Sequence, residues 1–229
     1  MECVAAPSPN FDERPSDTPI DILLLHYTGM ETGAAAVARL CDASARVSAH
    51  YTVDEDGTIF AHVPEECRAW HAGVSYWAGA RDINGRSIGI EIVNPGHEFG
   101  YRSFPGAQIE AVIHLSREIV ARHSIPAARV LGHSDVAPAR KTDPGELFPW
   151  GALSIAGIGL WPQTRKARLK LPFEESLRTF GYGLKPDMDV PSEMVITAFQ
   201  RHFRPGKIDG IPDRECEQIL AVLLESLRP

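Results

Sequence analysis

Residues 87–94, SIGIEIVN, alternate with a period of two, so Ile88, Ile90 and Ile92 share one face of a strand while Gly89, Glu91 and Val93 share the other. Such a stretch belongs in a sheet with one face against a core. It also sets the carboxylate of Glu91 in mid-strand, where an unpaired charge is expensive. A second strand follows from the apolar run Ile20, Ile22, Leu23, Leu24 and Leu25, which leads into the turn His26-Tyr27-Thr28-Gly29. A side chain at that strand end faces a cleft.

The elements around these two strands alternate in type. Residues 32–42 are alanine-rich, with Val37 and Leu40 spaced for one helical face, and SAHYTVDEDGTIFAHVP reads as two strands about an Asp56-Gly57 hairpin turn. AWHAG reads as a loop, and Asn84-Gly85 as another turn. Residues 107–123 place Ile109, Val112, Ile113, Ile119 and Val120 at helical spacing, and Ser124-Ile125-Pro126 ends that helix. VLGH, at residues 130–133, is a further short strand. Strands and helices interleaved in this way define an α/β (α+β) chain with a mixed central β-sheet flanked by helices.

Composition shifts after Trp161-Pro162. TRKARLK is a basic stretch that reads as a solvated linker, and PFEESLRTFGYG, PSEMVITAFQRHFRP and PDRECEQILAVLLESL read as three short helices. Val195, Ile196, Phe199 and Phe203 share one helical face; Ile219, Leu220, Leu223 and Leu227 share another. The expected organisation is an irregular lead-in over 1–17, a main domain over 18–167 and a small three-helix C-terminal domain over 168–229. A length of 229 residues suits such a division.

Charge and cysteine usage exclude several classes. A net charge of −7 argues against nucleic acid or an anionic membrane as partner, since either favours a basic face. No apolar run approaches the roughly 18 residues that a membrane span needs. Cys3, Cys41, Cys67 and Cys216 are widely spaced with no CxxC pair, which points to reduced thiols rather than a disulfide frame. The N-terminal residues show no signal-peptide pattern, so the expected compartment is cytoplasmic, with a periplasmic or envelope-associated location as the alternative. Oligomeric state has no signature in the sequence.

The segment VLGHSDVAPARKTDPG, residues 130–145, concentrates His133, Lys141 and Asp143 between turn-forming prolines. Two potential ligands do not close a metal site. His26, at the end of its own apolar strand, can be considered with them, and two imidazoles with one carboxylate are the donor set that a catalytic zinc prefers, with a fourth position open; spacing alone does not prove that they converge. Zinc there would make hydroxide available at neutral pH and polarise a carbonyl. Glu91 would then serve as proton carrier and Lys141 as oxyanion stabiliser. Gly85-Arg86-Ser87-Ile88-Gly89 satisfies the GxSxG pattern of serine hydrolases, but a turn before it and a strand after it invert the strand-then-helix context that pattern requires. His62, His97, His114, His123 and His202 read as surface or hydrogen-bonded structural histidines.

LLLHYTG, RVSAHYTVDEDG, AWHAG, SIGIEIVN and GHSDVAPARKTDPG occur in one order between residues 23 and 145. In that order they resemble the zinc-dependent N-acetylmuramoyl-L-alanine amidases of the AmpD and AmiD type, whose fold is shared with peptidoglycan recognition proteins. The resemblance implies Zn2+ on His26, His133 and Asp143, catalysis by Glu91 and Lys141, and substrate contacts from Arg46, Trp70, His71, Tyr27 and Arg86. Asp82 stands where the AmpD form carries a substrate-binding arginine. The implied activity is cleavage of the amide between the lactyl group of N-acetylmuramic acid and L-alanine, with peptidoglycan or muropeptide fragments as partners. A non-catalytic peptidoglycan-binding protein on the same fold is the alternative. GYG and VITAFQRHFRP are similar to a three-helix peptidoglycan-binding module.

Overall fold

A computed structural model describes residues 3–163, 165–184 and 190–227. The first two residues of the lead-in and Thr164 of the basic stretch lie outside the described residues. The strands are β1 (Val4–Ala5), β2 (Phe11–Glu13), β3 (Ile22–Tyr27), β4 (Tyr51–Val53), β5 (Ile59–Ala61), β6 (Cys67–Ala69), β7 (Ser87–Ile92) and β8 (Val130–Gly132). The helices are α1 (Gly33–Cys41), α2 (Ile83–Arg86), α3 (Gly96–Phe99), α4 (Gly106–His123), α5 (His133–Val136), α6 (Trp150–Ile155), α7 (Phe173–Phe180), α8 (Ser192–Phe203) and α9 (Arg214–Ser226).

Six strands form a mixed sheet in the order β1-β5-β4-β7-β3-β8. β7, β3 and β8 run parallel, with Leu25 paired to Ile90 on one side and to Gly132 on the other. A strand hydrogen-bonded on both sides and covered on both faces must be apolar throughout, which is why ILLL carries no alternation. β4 and β5 form the hairpin foreseen at Asp56-Gly57, where Gly57 sits at φ +91° and donates its N–H to Asp54 O.

Alternate residues of the central strands feed two cores. Leu23, Leu25, Ile88, Ile90 and Ile92 pack against Ile109, Val112, Leu115 and Ile119 of α4. Ile22, Leu24 and Leu131 point the other way and join Leu177, Val195, Phe199, Phe203 and Leu220 of α7, α8 and α9. The three C-terminal helices therefore form where the periodicity places them, but their apolar faces close over the sheet as well as over one another. The change of composition near residue 168 does not divide the core.

Two sequence expectations need correction. The lead-in is not wholly irregular: β1 pairs with β5 and β2 pairs with β6. Their side chains are exposed, so backbone pairing holds them and no hydrophobic period announces them. Asn84-Gly85 is not an open turn but lies in the single-turn helix α2, because the Asp82 carboxylate accepts from Gly85 N and caps it. The four cysteines are free thiols. Among the described residues no helix is long and apolar enough to cross a membrane.

Candidate metal centre and active site

The parallel strands β3, β7 and β8 end on one edge of the sheet, the edge where open α/β sheets place their ligands. His26 and Glu91 are directly paired neighbours on β3 and β7, so their side chains leave the same face. His133 follows β8 at once and opens α5. The loop after α5 returns Lys141 and Asp143 to the same place, held by Ser134 N donating to Asp143 O at 3.0 Å. A Cβ on Gly132 would stand 2.8 Å from Pro144, so the close crossing of that loop over β8 needs glycine.

His26 Nδ1, His133 Nδ1 and Asp143 Oδ2 converge. The two nitrogens lie 2.9 Å apart, and each is 3.0–3.1 Å from the carboxylate oxygen. All three residues are buried, at 1%, 2% and 5% exposure. Burial, with His133 beside it, lowers His26 to about 4, so its ring is neutral at pH 7. Burial alone would raise the Asp143 carboxyl, but His133 and His26 against it hold it below the ordinary carboxylate range. On its outer side, His133 Nε2 lies 3.0 Å from Ala72 O, a carbonyl that only accepts. A His133 ring bearing a single hydrogen carries it on Nε2, toward that carbonyl, and turns a lone pair inward. Inward lone pairs beside a carboxylate repel unless a cation sits among them, and the donor set is one that a tetrahedral metal takes, at about 2.0–2.2 Å from each atom. The residues fit a metal ion.

Glu91 borders the same cavity, and its Oε2 is buried with no hydrogen-bond partner among the described residues. Burial and then the Asp143 carboxylate push Glu91 well above its ordinary pKa, with Lys141 opposing them. The cavity, about 320 Å³, is also lined by Lys141, Tyr27, Trp70 and His71. Tyr27 Oη is tied to Thr142 Oγ1 at 2.8 Å, and Trp70 Nε1 donates to Asp12 Oδ2 at 2.7 Å.

Two of the expected contacts lie elsewhere. Arg86 ends α2, just before β7 and at the opposite end of that strand from Glu91, and is clamped to Asp21, so it does not reach the cavity. Arg46 is exposed and outside the lining, one residue before Val47 on the wall. The cation on that wall is Arg39, on α1 beside Ala36 and Leu40. Its only sequence trace was helical spacing relative to those two residues. Asp82, at the position of the missing arginine, pairs with Arg68.

Of the two readings open for His202, surface or hydrogen-bonded, the structure shows the second: it is 3% exposed and donates from Nδ1 to Asp135 Oδ2 at 2.7 Å. Asp135 also accepts from Tyr182 Oη at 2.7 Å and from Gly132 N at 2.8 Å. Two side chains from the C-terminal region thus grip the helix that begins with His133.

Comparison with known proteins identifies the family. The sequence profile of the N-acetylmuramoyl-L-alanine amidase family, Amidase_2, matches residues 16–146. This chain belongs to that family. It is 40% identical over 232 residues to the N-acetylmuramoyl-L-alanine amidase AmiD of Escherichia coli K12, covering 90% of this chain and 83% of the relative. The structure of E. coli AmiD complexed with anhydro-N-acetylmuramic acid-L-Ala-D-γ-Glu-L-Lys superposes with a TM-score of 0.81 at 36% identity, over 95% of this chain and 98% of that one. E. coli 1,6-anhydro-N-acetylmuramyl-L-alanine amidase AmpD is 33% identical over 166 residues, covering 88% of AmpD but 65% of this chain. Likeness to AmiD thus extends over a larger share of this chain than likeness to AmpD.

Proposed function

We propose that this amidase is a zinc enzyme that hydrolyses the amide between the lactyl group of N-acetylmuramic acid and L-alanine in muropeptides or peptidoglycan. The observation that carries the reading is the convergence of His26 Nδ1, His133 Nδ1 and Asp143 Oδ2 beside the unpartnered Oε2 of Glu91. The anhydromuramyl peptide held by the AmiD relative supplies the substrate class.

Zinc held by these three residues would supply Lewis acidity, polarising the scissile carbonyl and acidifying water. Glu91 takes the proton from the attacking water at Oε2 and passes it to the leaving amine of alanine. A raised pKa suits both halves of that task, since the carboxylate binds a proton readily and keeps it until the nitrogen needs it. Lys141, on the cavity wall, steadies the negative charge that develops on the amide oxygen. Tyr27, Trp70 and Arg39 line the walls that receive sugar and peptide. Contact of the C-terminal helices with polymeric glycan belongs to the same proposal, supported by the resemblance of GYG and VITAFQRHFRP to peptidoglycan-binding modules.

Mass spectrometry of products from soluble anhydro-muropeptides, before and after chelation and zinc readdition, tests the reading. The expected products are the free sugar and a peptide with an L-alanine amino terminus, lost on chelation and restored by zinc. Undiminished cleavage by metal-free enzyme would remove the zinc reading.

A further inference from the structure

The Gly85-x-Ser87-x-Gly89 pattern plays no part in the proposed chemistry, yet it lies directly behind the metal residues. Ser87 is fully buried, and its hydroxyl donates to Ile83 O at 2.7 Å. That carbonyl can only accept, so the hydroxyl hydrogen is committed there and the Ser87 oxygen is left as an acceptor. His71 Nε2 stands 3.3 Å from it, and on the other side of the ring His71 Nδ1 stands 3.0 Å from His26 Nε2.

The direction of the chain follows from its far end. His71 Nε2–H donates to Ser87, His71 Nδ1 accepts from His26 Nε2–H, and His26 Nδ1 keeps its lone pair for the metal position. The two rings meet edge to face, with centroids 5.1 Å apart. The socket is built for this ring: a Cβ on Gly89 would lie 2.6 Å from three His71 atoms, and Asn84 Oδ1 accepts from both His71 N (3.1 Å) and Ala72 N (2.7 Å). Ala72 in turn offers the carbonyl that takes His133 Nε2.

We infer that His71 is a positioning residue rather than a substrate contact: seated in a socket made by Asn84, Ser87 and Gly89, it fixes the tautomer and orientation of His26, while its neighbour Ala72 does the same for His133. Partners on the outer nitrogens of metal-binding histidines generally set ring orientation and basicity, and their loss costs about 10–100-fold in metal affinity. The pattern that resembles a serine nucleophile is thus the support of a histidine.

This inference rests on the zinc reading, and zinc affinity measured by chelator competition on the full chain separates the two. Failure of the parent protein to bind zinc would sink the proposed function itself. If the parent binds, His71→Ala is expected to weaken zinc about 10–100-fold. His71→Asn, whose Oδ1 can stand where Nδ1 accepts, is expected to stay near the parent. Ser87→Ala, which removes the far anchor and serves if His71→Ala does not fold, is expected to weaken zinc with KM unchanged. Parental zinc affinity in His71→Ala and Ser87→Ala, or a raised KM with zinc affinity intact, would overturn the inference.

Discussion

Replacing Asp135 by alanine removes a carboxylate on which three parts of the chain converge. Gly132 N, Tyr182 Oη and His202 Nδ1 all donate to it, and the residue is 1% exposed. Removing it strands three buried donors at about 1–3 kcal/mol each, and allowing for relaxation the loss is about 3–6 kcal/mol. That is a large share of the roughly 5–15 kcal/mol by which folded proteins are stable. For a chain of this length the melting temperature should fall by about 6–24 °C, at roughly 2–4 °C per kcal/mol. Tyr182→Phe removes one donor and leaves the carboxylate two others, so its cost is expected near 1–3 kcal/mol. Urea unfolding of the metal-free proteins reads both values. Because Asp135 holds the start of α5, zinc affinity should fall together with stability in Asp135→Ala. A variant within about 1 kcal/mol of the parent would refute the claim that the C-terminal helices clamp this helix.

Glu91→Gln is expected to retain zinc in equilibrium dialysis and to lose about 10²–10⁴ in kcat, since the ligand set survives and the proton carrier does not. Near-parental turnover would rule Glu91 out as the essential base. Acid should destabilise the protein through His50, which burial, with Arg14 nearby, lowers to about 3. The unfolded chain binds that proton from about pH 6.5 downward and the folded chain does not, so stability is full above about 6.5 and is lost as pH falls toward 3, by up to about 1.4 kcal/mol per pH unit. Urea midpoints that stay constant between pH 7 and pH 4 would contradict this.

The reach of the sequence can be judged from particular residues. Strand period placed Glu91 on a definite face, and the apolar run placed His26 at a strand end, because both follow from local backbone geometry. The parallel register then made His26 and Glu91 neighbours, which no spacing of 65 residues along the chain could announce. Arg86 misled for the converse reason: it is five residues from Glu91 in sequence but precedes the other end of the strand and is bound to Asp21.

The C-terminal helices show the same division. Their amphipathic faces were legible, and so was the change of composition before them, which suggested a removable module. Their apolar residues meet Ile22, Leu24 and Leu131, and Tyr182 and His202 reach Asp135, only after the chain has folded. Local periodicity and donor chemistry, both properties of residue type, determined the sheet, the helices and the donor set of the candidate metal site. Which carboxylate is clamped, which histidine supports another and which cation faces the cleft depend on contacts between distant segments, and those were decided by packing in three dimensions.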